Sequence, residues 1–498
     1  MSSISTRDYF RRLAALAALG AVFGLLFAIP AARASGMGAA EQVTGSIGSV
    51  VDGLVGDALH ANLEIDAAGA SVAERLAALD AARARYLPVV DFIARYSAAH
   101  GGRVIDIPVA DLVNPVYSTL NQLTGTSRFP PIANQQINFL RRREQDTKLT
   151  LTQPLYDARL APARAAATAD YDAANANRGA LASRIEHDMR TAYYRWLEAR
   201  AQVAVLEATL DLARENRRVN DSLFRNGKIT RDLVYRAEAD VLEVEQSLLG
   251  ARNGVELAQS YVNVLRNSDF DVPLRLAAVA DADVAELKTQ LLARIGNGSF
   301  AYGQLATAAL GRRAEIRELD AQVAAADAGE HLARAAYRPQ LALAVDAGTQ
   351  GQGYGLSSED RYVLASVVLK FNLFAGGGDR AGIAGAHERR HNALAGKALA
   401  EQRIRLEVQQ ALQQFKVAEA SLGTAAKRVE AAAGAFRIAE RKRDLGQINQ
   451  AEFVDARRLL TDAELNRNVT RFTALSSLAD LEYAIGPGRR PLLPDASP

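Results

Sequence analysis

Two histidines separated by four positions, His387 and His391, form the pattern with the clearest catalytic potential. With Glu388 directly after the first, this is an H-E-x-x-H motif, which on a helix can hold zinc and supply a general base. Catalytic zinc needs a third protein ligand. No histidine follows His391, and Glu419 lies 28 residues along the same predicted helix, about 42 Å away. We therefore interpret the motif as an exposed polar helix face.

Other catalytic patterns are equally weak. The chain contains no cysteine, which excludes disulfides, thiol nucleophiles and thiolate zinc sites. The glycines at 351, 353 and 355 precede no helix of a βαβ unit, so they do not form a dinucleotide-binding motif. Gly376 to Asp379 could bind an anion at a helix start, although a capped strand-to-helix bend explains them better. We predict no enzyme activity, no catalytic residue, no metal and no cofactor.

The N-terminal residues 1–34 have the features of a secretory signal peptide. A basic start is followed by an apolar stretch from Leu13 to Ile29 and by Ala32-Arg33-Ala34, which predicts cleavage before Ser35. An uncleaved membrane anchor is the alternative, because the apolar stretch is slightly long. The formal net charge of the whole chain is +2, and residues 1–34 carry +3. The remaining chain therefore has a net charge of −1, which predicts no nucleic-acid partner.

The remaining chain contains an internal repeat of two similar units. Residues 82–88 (ARARYLP) recur as residues 333–339 (ARAAYRP), and Gly227-Lys228-Ile229 recurs as Gly446-Gln447-Ile448. We place the first unit at 35–273, the second at 274–486 and a short C-terminal tail at 487–498. The first unit carries about 32 extra residues between its strands, within a loop predicted from Ser97 to Asp146.

Each unit is predicted to contain a long helical hairpin. Apolar residues step by four and three positions without interruption, which indicates left-handed coiled-coil packing. The first series is Ile185, Met189, Ala192, Trp196, Ala199, Val203, Leu206, Leu210 and Ala213, and the second repeats it 219 positions later from Ile404 to Ala432. The long helices are predicted from about Ala158 to Arg225 and from about Asp379 to Leu445, each roughly 100 Å long. After a glycine stop, a second helix returns toward Arg266 or Ile485.

Two strands are predicted before each long helix, with apolar and polar residues alternating. Examples are Phe92 against Asp91, Leu149 against Lys148, and a longer run from Tyr362 to Leu373; Gln153 is a misfit. Such alternation fits membrane strands, and it also fits a soluble sheet buried on one face. Because four strands cannot close a barrel and open edges cannot face lipid, membrane strands would require several chains to share one barrel.

The duplicated unit and its motifs resemble the TolC family of outer-membrane efflux channels. The motifs are Gln153-Pro154-Leu155-Tyr156-Asp157, Leu373-Phe374-Ala375-Gly376-Gly377 and the segment Ala309 to Ile316, which is similar to that family's AL..RPEI segment with Ala314 in place of proline. The resemblance covers about Asn62 to Ile485. It implies a mainly α fold with a small β part, in which long antiparallel coiled-coil hairpins continue a shared 12-stranded β-barrel, four strands from each chain of a homotrimer.

The resemblance also implies a function. The chain would be an outer-membrane channel that extends into the periplasm and exports small molecules or proteins, for drug efflux or type I secretion. Its partners would be outer-membrane lipid, a periplasmic adaptor protein and an inner-membrane transporter. The alternative is a soluble periplasmic coiled-coil scaffold or adaptor, to be distinguished by membrane fractionation.

The same resemblance assigns site residues. The hairpin tips Asn226, Gly227, Lys228, Leu445, Gly446 and Gln447 match the family's adaptor-contact positions, although a glycine helix stop would explain them unaided. Glu452 and Asp455, six and nine positions after the second tip glycine, match the acidic gate. Three chains would present two carboxylate rings there, with Arg443 and Arg457 near enough in sequence to offset the repulsion. The alternative is a solvated helix face with a surface pair between Asp455 and Arg458.

Overall fold

The computed structural model describes residues 45–295, 300–353 and 357–486. The predicted signal peptide, its cleavage site before Ser35 and the C-terminal tail lie outside the described residues. The boundaries at 273 and 486 between the two units and the tail stay predictions.

The described chain is dominated by ten helices, of which four are very long. They are α1 (Ile47–Ala61), α2 (Leu63–Ala84), α3 (Val109–Thr124), α4 (Leu160–Arg225), α5 (Arg231–Leu265), α6 (Ala282–Ile295), α7 (Tyr302–Arg312), α8 (Ala314–Arg334), α9 (Gly378–Asp444) and α10 (Gln450–Ile485). Six strands accompany them: β1 (Val89–Ala98), β2 (Val104–Ile107), β3 (Gln135–Asn138), β4 (Arg143–Asp157), β5 (Gln340–Gly351) and β6 (Arg361–Lys370).

The predicted helical hairpins are confirmed as α4 with α5 and α9 with α10. Of the nine predicted apolar positions in α4, seven are buried and Ala199 and Val203 are half-buried. The matching positions of α9 behave alike, with Leu422 and Val429 the half-buried ones. Trp196 and Phe415, which occupy equivalent steps of the two series, are each about 1% exposed. These helices are polar on average, so packing along their one apolar stripe is what stabilises them.

The four predicted strands form one antiparallel sheet in the order β1-β4-β5-β6. Its register aligns Phe92, Leu149, Ala347 and Val363 across one face, and the adjacent row across the other face holds Asp91, Thr150, Asp346 and Leu364. The apolar face is open, since Phe92 is 69% and Val363 is 76% exposed.

The opposite face carries a polar network. Lys148 Nζ lies 2.7 Å from Asp346 Oδ2, and Thr150 Oγ1 donates to Asp346 Oδ1 at 2.7 Å. On the apolar face, Gln153, the predicted misfit, donates its side-chain amide to the backbone oxygen of Tyr86. One face is therefore apolar and exposed while the other is hydrogen-bonded and polar, as the alternation predicts.

The segment between β1 and β4 is more ordered than the predicted loop. It contains α3 and a two-stranded ribbon of β2 and β3, paired with Ile105 opposite Ile137. The prediction of a plain loop from Ser97 to Asp146 was therefore wrong, and both ends of that range belong to strands. Pro115 and the two asparagines inside α3, Asn114 and Asn121, weakened the helical signal in the sequence.

The largest apolar core lies where α1, α4, α9 and α10 converge. Helix α1 adds seven buried residues despite three glycines, which reduced its helical signal: Ile47, Val50, Val51, Leu54, Val55, Ala58 and Leu59. Among the helices of the described residues, none combines the length and apolar character needed to cross a lipid bilayer.

Candidate functional site at the hairpin tips

Both hairpin tips close with the same hydrogen-bonded turn. After α4, Gly227 adopts φ +70° and donates to Phe224 O at 2.8 Å, while Lys228 donates to Leu223 O at 2.9 Å. This is a Schellman motif, in which the left-handed residue is normally glycine. The tip residues Asn226, Gly227 and Lys228 are all exposed.

The second tip repeats the geometry. Gly446 adopts φ +66° and donates to Arg443 O at 2.9 Å, and Gln447 donates to Lys442 O at 2.7 Å. Leu445, Gly446 and Gln447 are exposed, and Leu445 leaves 63% of its surface open to solvent. The structure therefore places all six predicted tip residues on two equivalent exposed turns, and Leu445 adds an exposed apolar side chain.

Glu452, the first predicted gate residue, takes part in a helix cap. Asn449 precedes α10, and its side-chain oxygen accepts from Glu452 N at 2.8 Å. In return, Asn449 Nδ2 donates to Glu452 Oε1 at 2.6 Å. This reciprocal pair is a variant of the capping box, in which the third helical residue is Glu or Gln. The Glu452 carboxylate is therefore exposed but locally held.

Asp455 lies one turn further on and is exposed. The surface pair with Arg458, which belonged to the alternative interpretation, is not formed, because Arg458 Nη2 lies 2.9 Å from Glu243 Oε2. The predicted compensation by Arg443 is wrong. Its guanidinium lies 4.4 Å from the Phe453 ring centroid and pairs with Asp444. In the described part of the chain, no ion pair involves the Asp455 carboxylate.

Arg457, the second predicted compensating residue, points into the protein instead. Its Nη2 lies 2.5 Å from Asp240 Oδ1, and the two side chains are only 3% and 7% exposed. The pair joins α10 to α5 close to both tips, and the remaining atoms Asp240 Oδ2, Arg457 Nε and Arg457 Nη1 are buried without a hydrogen-bond partner. Sequence reasoning missed this contact. The feature of the sequence that could have indicated it is Asp240, a charged residue at a core position of α5, one residue before the buried Val241.

A second buried arginine explains the segment that resembles AL..RPEI. Arg313 ends α7 and precedes α8, where it pairs with Glu315 at 2.7 Å and with Glu407 of α9. Its guanidinium also lies 5.2 Å from the Tyr483 ring centroid. Ala314 occupies the first helical position of α8, where proline is favoured but alanine also fits. The segment is thus a structural joint between helices.

His187 forms a charged link between α4 and α10. Its Nδ1 lies 3.0 Å from Asp188 Oδ1 and its Nε2 lies 2.7 Å from Asp480 Oδ1. Burial alone would lower the pKa of His187, but the hydrogen bonds and charges of Asp188 and Asp480 outweigh it and raise the pKa to about 9. The imidazolium therefore serves to join two helices at neutral pH.

The H-E-x-x-H pair of α9 has a different environment. His387 Nδ1 lies 3.6 Å from Glu330 Oε1, and His391 is exposed. Over the residues that the structure describes, no three His, Asp or Glu side chains converge in a way that could hold a metal ion. The motif remains best explained as a polar face of α9 near α8.

Comparison with known proteins places these features in context. The model of the family described as outer membrane efflux protein matches residues 54–264 and 305–487. The chain is 26% identical over 302 residues to two proteins of Pseudomonas putida, the probable efflux pump outer membrane protein TtgC and the antibiotic efflux pump outer membrane protein ArpC. Each alignment covers 60% of this chain and 59% of the relative, so the chain spans about three fifths of the length of the curated relatives it matches.

Solved structures have the same fold. The CmeC outer membrane channel of Campylobacter jejuni superposes with a TM-score of 0.72 at 16% identity, covering 92% of this chain and 93% of that one. The outer membrane protein VceC of Vibrio cholerae superposes with a TM-score of 0.69 at 18% identity, covering 88% and 97%.

Proposed function

The chain belongs to the outer membrane efflux protein family, and we propose that three copies of it form an export duct that begins in the outer membrane and extends through the periplasm. The family consists of channels, so no catalytic step is assigned to the chain.

The observation that carries this proposal is the open four-stranded sheet. Strands β1 and β6 are its two edges, and its apolar face exposes residues such as Val363 and Val367. An exposed apolar face and unpaired strand edges are both unfavourable in water. In lipid, the unpaired backbone groups of an edge strand cost even more free energy, because no water can bind them. Pairing β6 of each copy with β1 of the next would satisfy every edge in a 12-stranded barrel. The polar face, with Lys148 and Asp346, would then line the lumen.

The helical hairpins form the periplasmic part of the duct in this proposal. Their tips are the exposed turns at Gly227 and Gly446, which we assign to contact with a periplasmic adaptor protein that links the duct to an inner-membrane transporter. Two equivalent turns in one chain would give a trimer six docking points. The exposed side chain of Leu445 supplies an apolar contact at three of them.

Glu452 and Asp455 are proposed to line the periplasmic entrance. They lie at i and i+3 on α10, so they share one helix face. Three copies would bring together six carboxylates there, in two rings that favour cations and resist close approach of the chains. Arg443, Arg457 and Arg458 pair with other carboxylates, so these three arginines do not neutralise the charge of Glu452 and Asp455.

The cargo is proposed to be small molecules. The similar proteins of Pseudomonas putida are named for efflux pumps, one of them for antibiotics. We therefore favour small-molecule efflux over type I secretion of proteins for this chain.

Fractionation and mass measurement test the duct. We expect the mature protein in the outer-membrane fraction and, after extraction into mild detergent, a mass of three chains. Recovery in the soluble periplasm would favour the scaffold or adaptor instead. A stable detergent-solubilised monomer that retains its strand content would contradict the shared barrel.

A further inference from the structure

The segment 99–142 between β1 and β4 carries an amphipathic helix whose apolar stripe is open. In α3, Leu112, Val116 and Leu123 are 74%, 55% and 79% exposed, and the helix has no buried residue. At 100° per residue these three side chains lie within 40° of one another on the helix surface. They form one continuous stripe along the helix, here called the α3 stripe.

The opposite side of α3 is fixed to its own segment by two asparagines. The Asn114 side chain exchanges two hydrogen bonds of 2.9 Å with the backbone of Ile132. The Asn121 side chain does the same with Phe129, at 2.8 and 3.1 Å. Because these contacts hold the polar side against residues 129–134, the α3 stripe faces away from the segment that supports the helix.

The strand connections place this segment at one particular end of the sheet. Strand β4 continues through Asp157 into the long helix α4, while its other end pairs Arg143 with Ala98 of β1. The segment therefore leaves the sheet at the end farthest from the hairpins. In the proposed duct, which this inference assumes, that end lies at the outer surface of the membrane.

The same segment is strongly basic. Four arginines of the segment and Arg143, the first residue of β4, are exposed, and within the described ranges none of the five takes part in an ion pair: Arg103, Arg128, Arg141, Arg142 and Arg143. Against them, residues 99–143 contain only Asp106 and Asp111, which gives a net charge of +3. The whole chain carries only +2, so positive charge is concentrated here. Like charges on neighbouring copies would repel, which favours an anionic occupant over a second copy of the segment.

We propose that α3 is an interfacial anchor that lies in the membrane surface, with the α3 stripe among acyl chains and the arginines on the phosphates of anionic lipid headgroups. An apolar stripe combined with basic residues is the composition of helices that bind lipid surfaces in plane. The arginines come from the segments that flank the helix, so they can reach headgroups on either side of it. The lipid recognised is thus one with an exposed phosphate and net negative charge.

Spin labels test the placement directly, because the chain has no native cysteine. Val116→Cys and Leu123→Cys carry the label on the α3 stripe, and the matched control Gln122→Cys carries it at an exposed position about 100° around the helix from Leu123. Val367→Cys places a label on the apolar sheet face. The full-length protein is reconstituted in vesicles of phosphatidylcholine and phosphatidylglycerol in equal parts. Collisions are then measured with oxygen, which is lipid-soluble, and with a water-soluble nickel chelate.

We expect oxygen to dominate at positions 116, 123 and 367 and the chelate to dominate at position 122. If the stripe labels respond to the chelate as position 122 does while position 367 remains in lipid, the anchor is refuted and the duct stands. If position 367 also lies in water, the proposed duct itself fails. If the stripe labels are shielded from both reagents, protein covers the stripe and the lipid anchor is refuted.

A charge variant tests the headgroup contact. Replacing Arg141, Arg142 and Arg143 by glutamine should lower the ratio of bound to free α3 by about fivefold for each arginine in the anionic vesicles. The matched lysine variant should retain binding, and vesicles of phosphatidylcholine alone should show no difference. An equal loss in both kinds of vesicle would overturn the headgroup assignment.

Discussion

Arg457 and Asp240 form a buried ion pair between α10 and α5, and one residue away Arg458 and Glu243 form an exposed pair between the same helices. The buried charges have lost their hydration, whereas the exposed charges keep theirs. Two pairs of the same chemistry therefore differ only in environment. The buried pair fixes how the two hairpins align near their tips, because displacement of either helix would leave an unpaired buried charge.

Removing one member of the buried pair should be costly. Asp240→Ala should lower the free energy of unfolding by about 3–5 kcal/mol, since it leaves Arg457 buried without an acceptor. Glu243→Ala is the matched control and should change it by less than about 1 kcal/mol. Unfolding of the detergent-solubilised protein, followed by circular dichroism, measures both. The double variant Asp240→Leu, Arg457→Met should recover most of the loss; equal effects of the two single variants would contradict the interpretation.

His187 should make stability depend on pH on the alkaline side. Its pKa is raised from 6.5 to about 9 in the folded protein, so the fold binds this proton more tightly than the unfolded chain does. The stabilisation is therefore complete below pH 6.5 and is lost as pH rises through about 9. Burial raises the pKa of the adjacent Tyr483, which keeps the phenol neutral over this range.

A substitution isolates that dependence. His187→Gln should flatten the decrease in Tm between pH 6.5 and 9, whereas His331→Gln, at an exposed histidine 3.5 Å from Asp327, should leave it unchanged. The comparison is made by thermal unfolding at a series of pH values. An unaltered decrease in the His187→Gln protein would show that other groups cause it.

The tip glycines should respond to alanine in the opposite direction from a glycine inside a helix. Gly446 has open space around it but a φ of +66°, so Gly446→Ala should destabilise the tip by roughly 1–2 kcal/mol. Gly423 lies inside α9 with open space and a helical backbone, so Gly423→Ala should stabilise by up to about 1 kcal/mol. Gly446→Asn should be milder than alanine because asparagine tolerates the left-handed conformation. Tm values of the three variants test this order.

The sequence predicted features that arise from patterns along neighbouring residues, and it missed contacts between residues far apart in the chain. The heptad steps from Ile185 and from Ile404 persist over nine positions each, so they determine a helix and its buried side together. The alternation in β6 identified both faces of a strand in the same way. The Arg457 to Asp240 contact joins residues 217 positions apart, and no local spacing can match such a pair. For the same reason the sequence assigned Arg443 and Arg457 to Glu452 and Asp455, which are near in sequence, although their partners come from elsewhere.

Glu452 has two roles that a careful substitution can separate. As the third residue of α10 it accepts from Asn449, and as a carboxylate it would contribute charge to the proposed entrance. Glu452→Ala would remove both, so a change in conductance could come from a frayed helix. Glutamine also suits the capping box. Glu452→Gln combined with Asp455→Asn therefore removes the charges while retaining the cap.

Single-channel recordings of this double variant should then show weaker cation selectivity and weaker block by multivalent cations, with Tm unchanged. Unchanged selectivity and block would reject the carboxylate ring, and the two acids would then be an ordinary solvated face of α10.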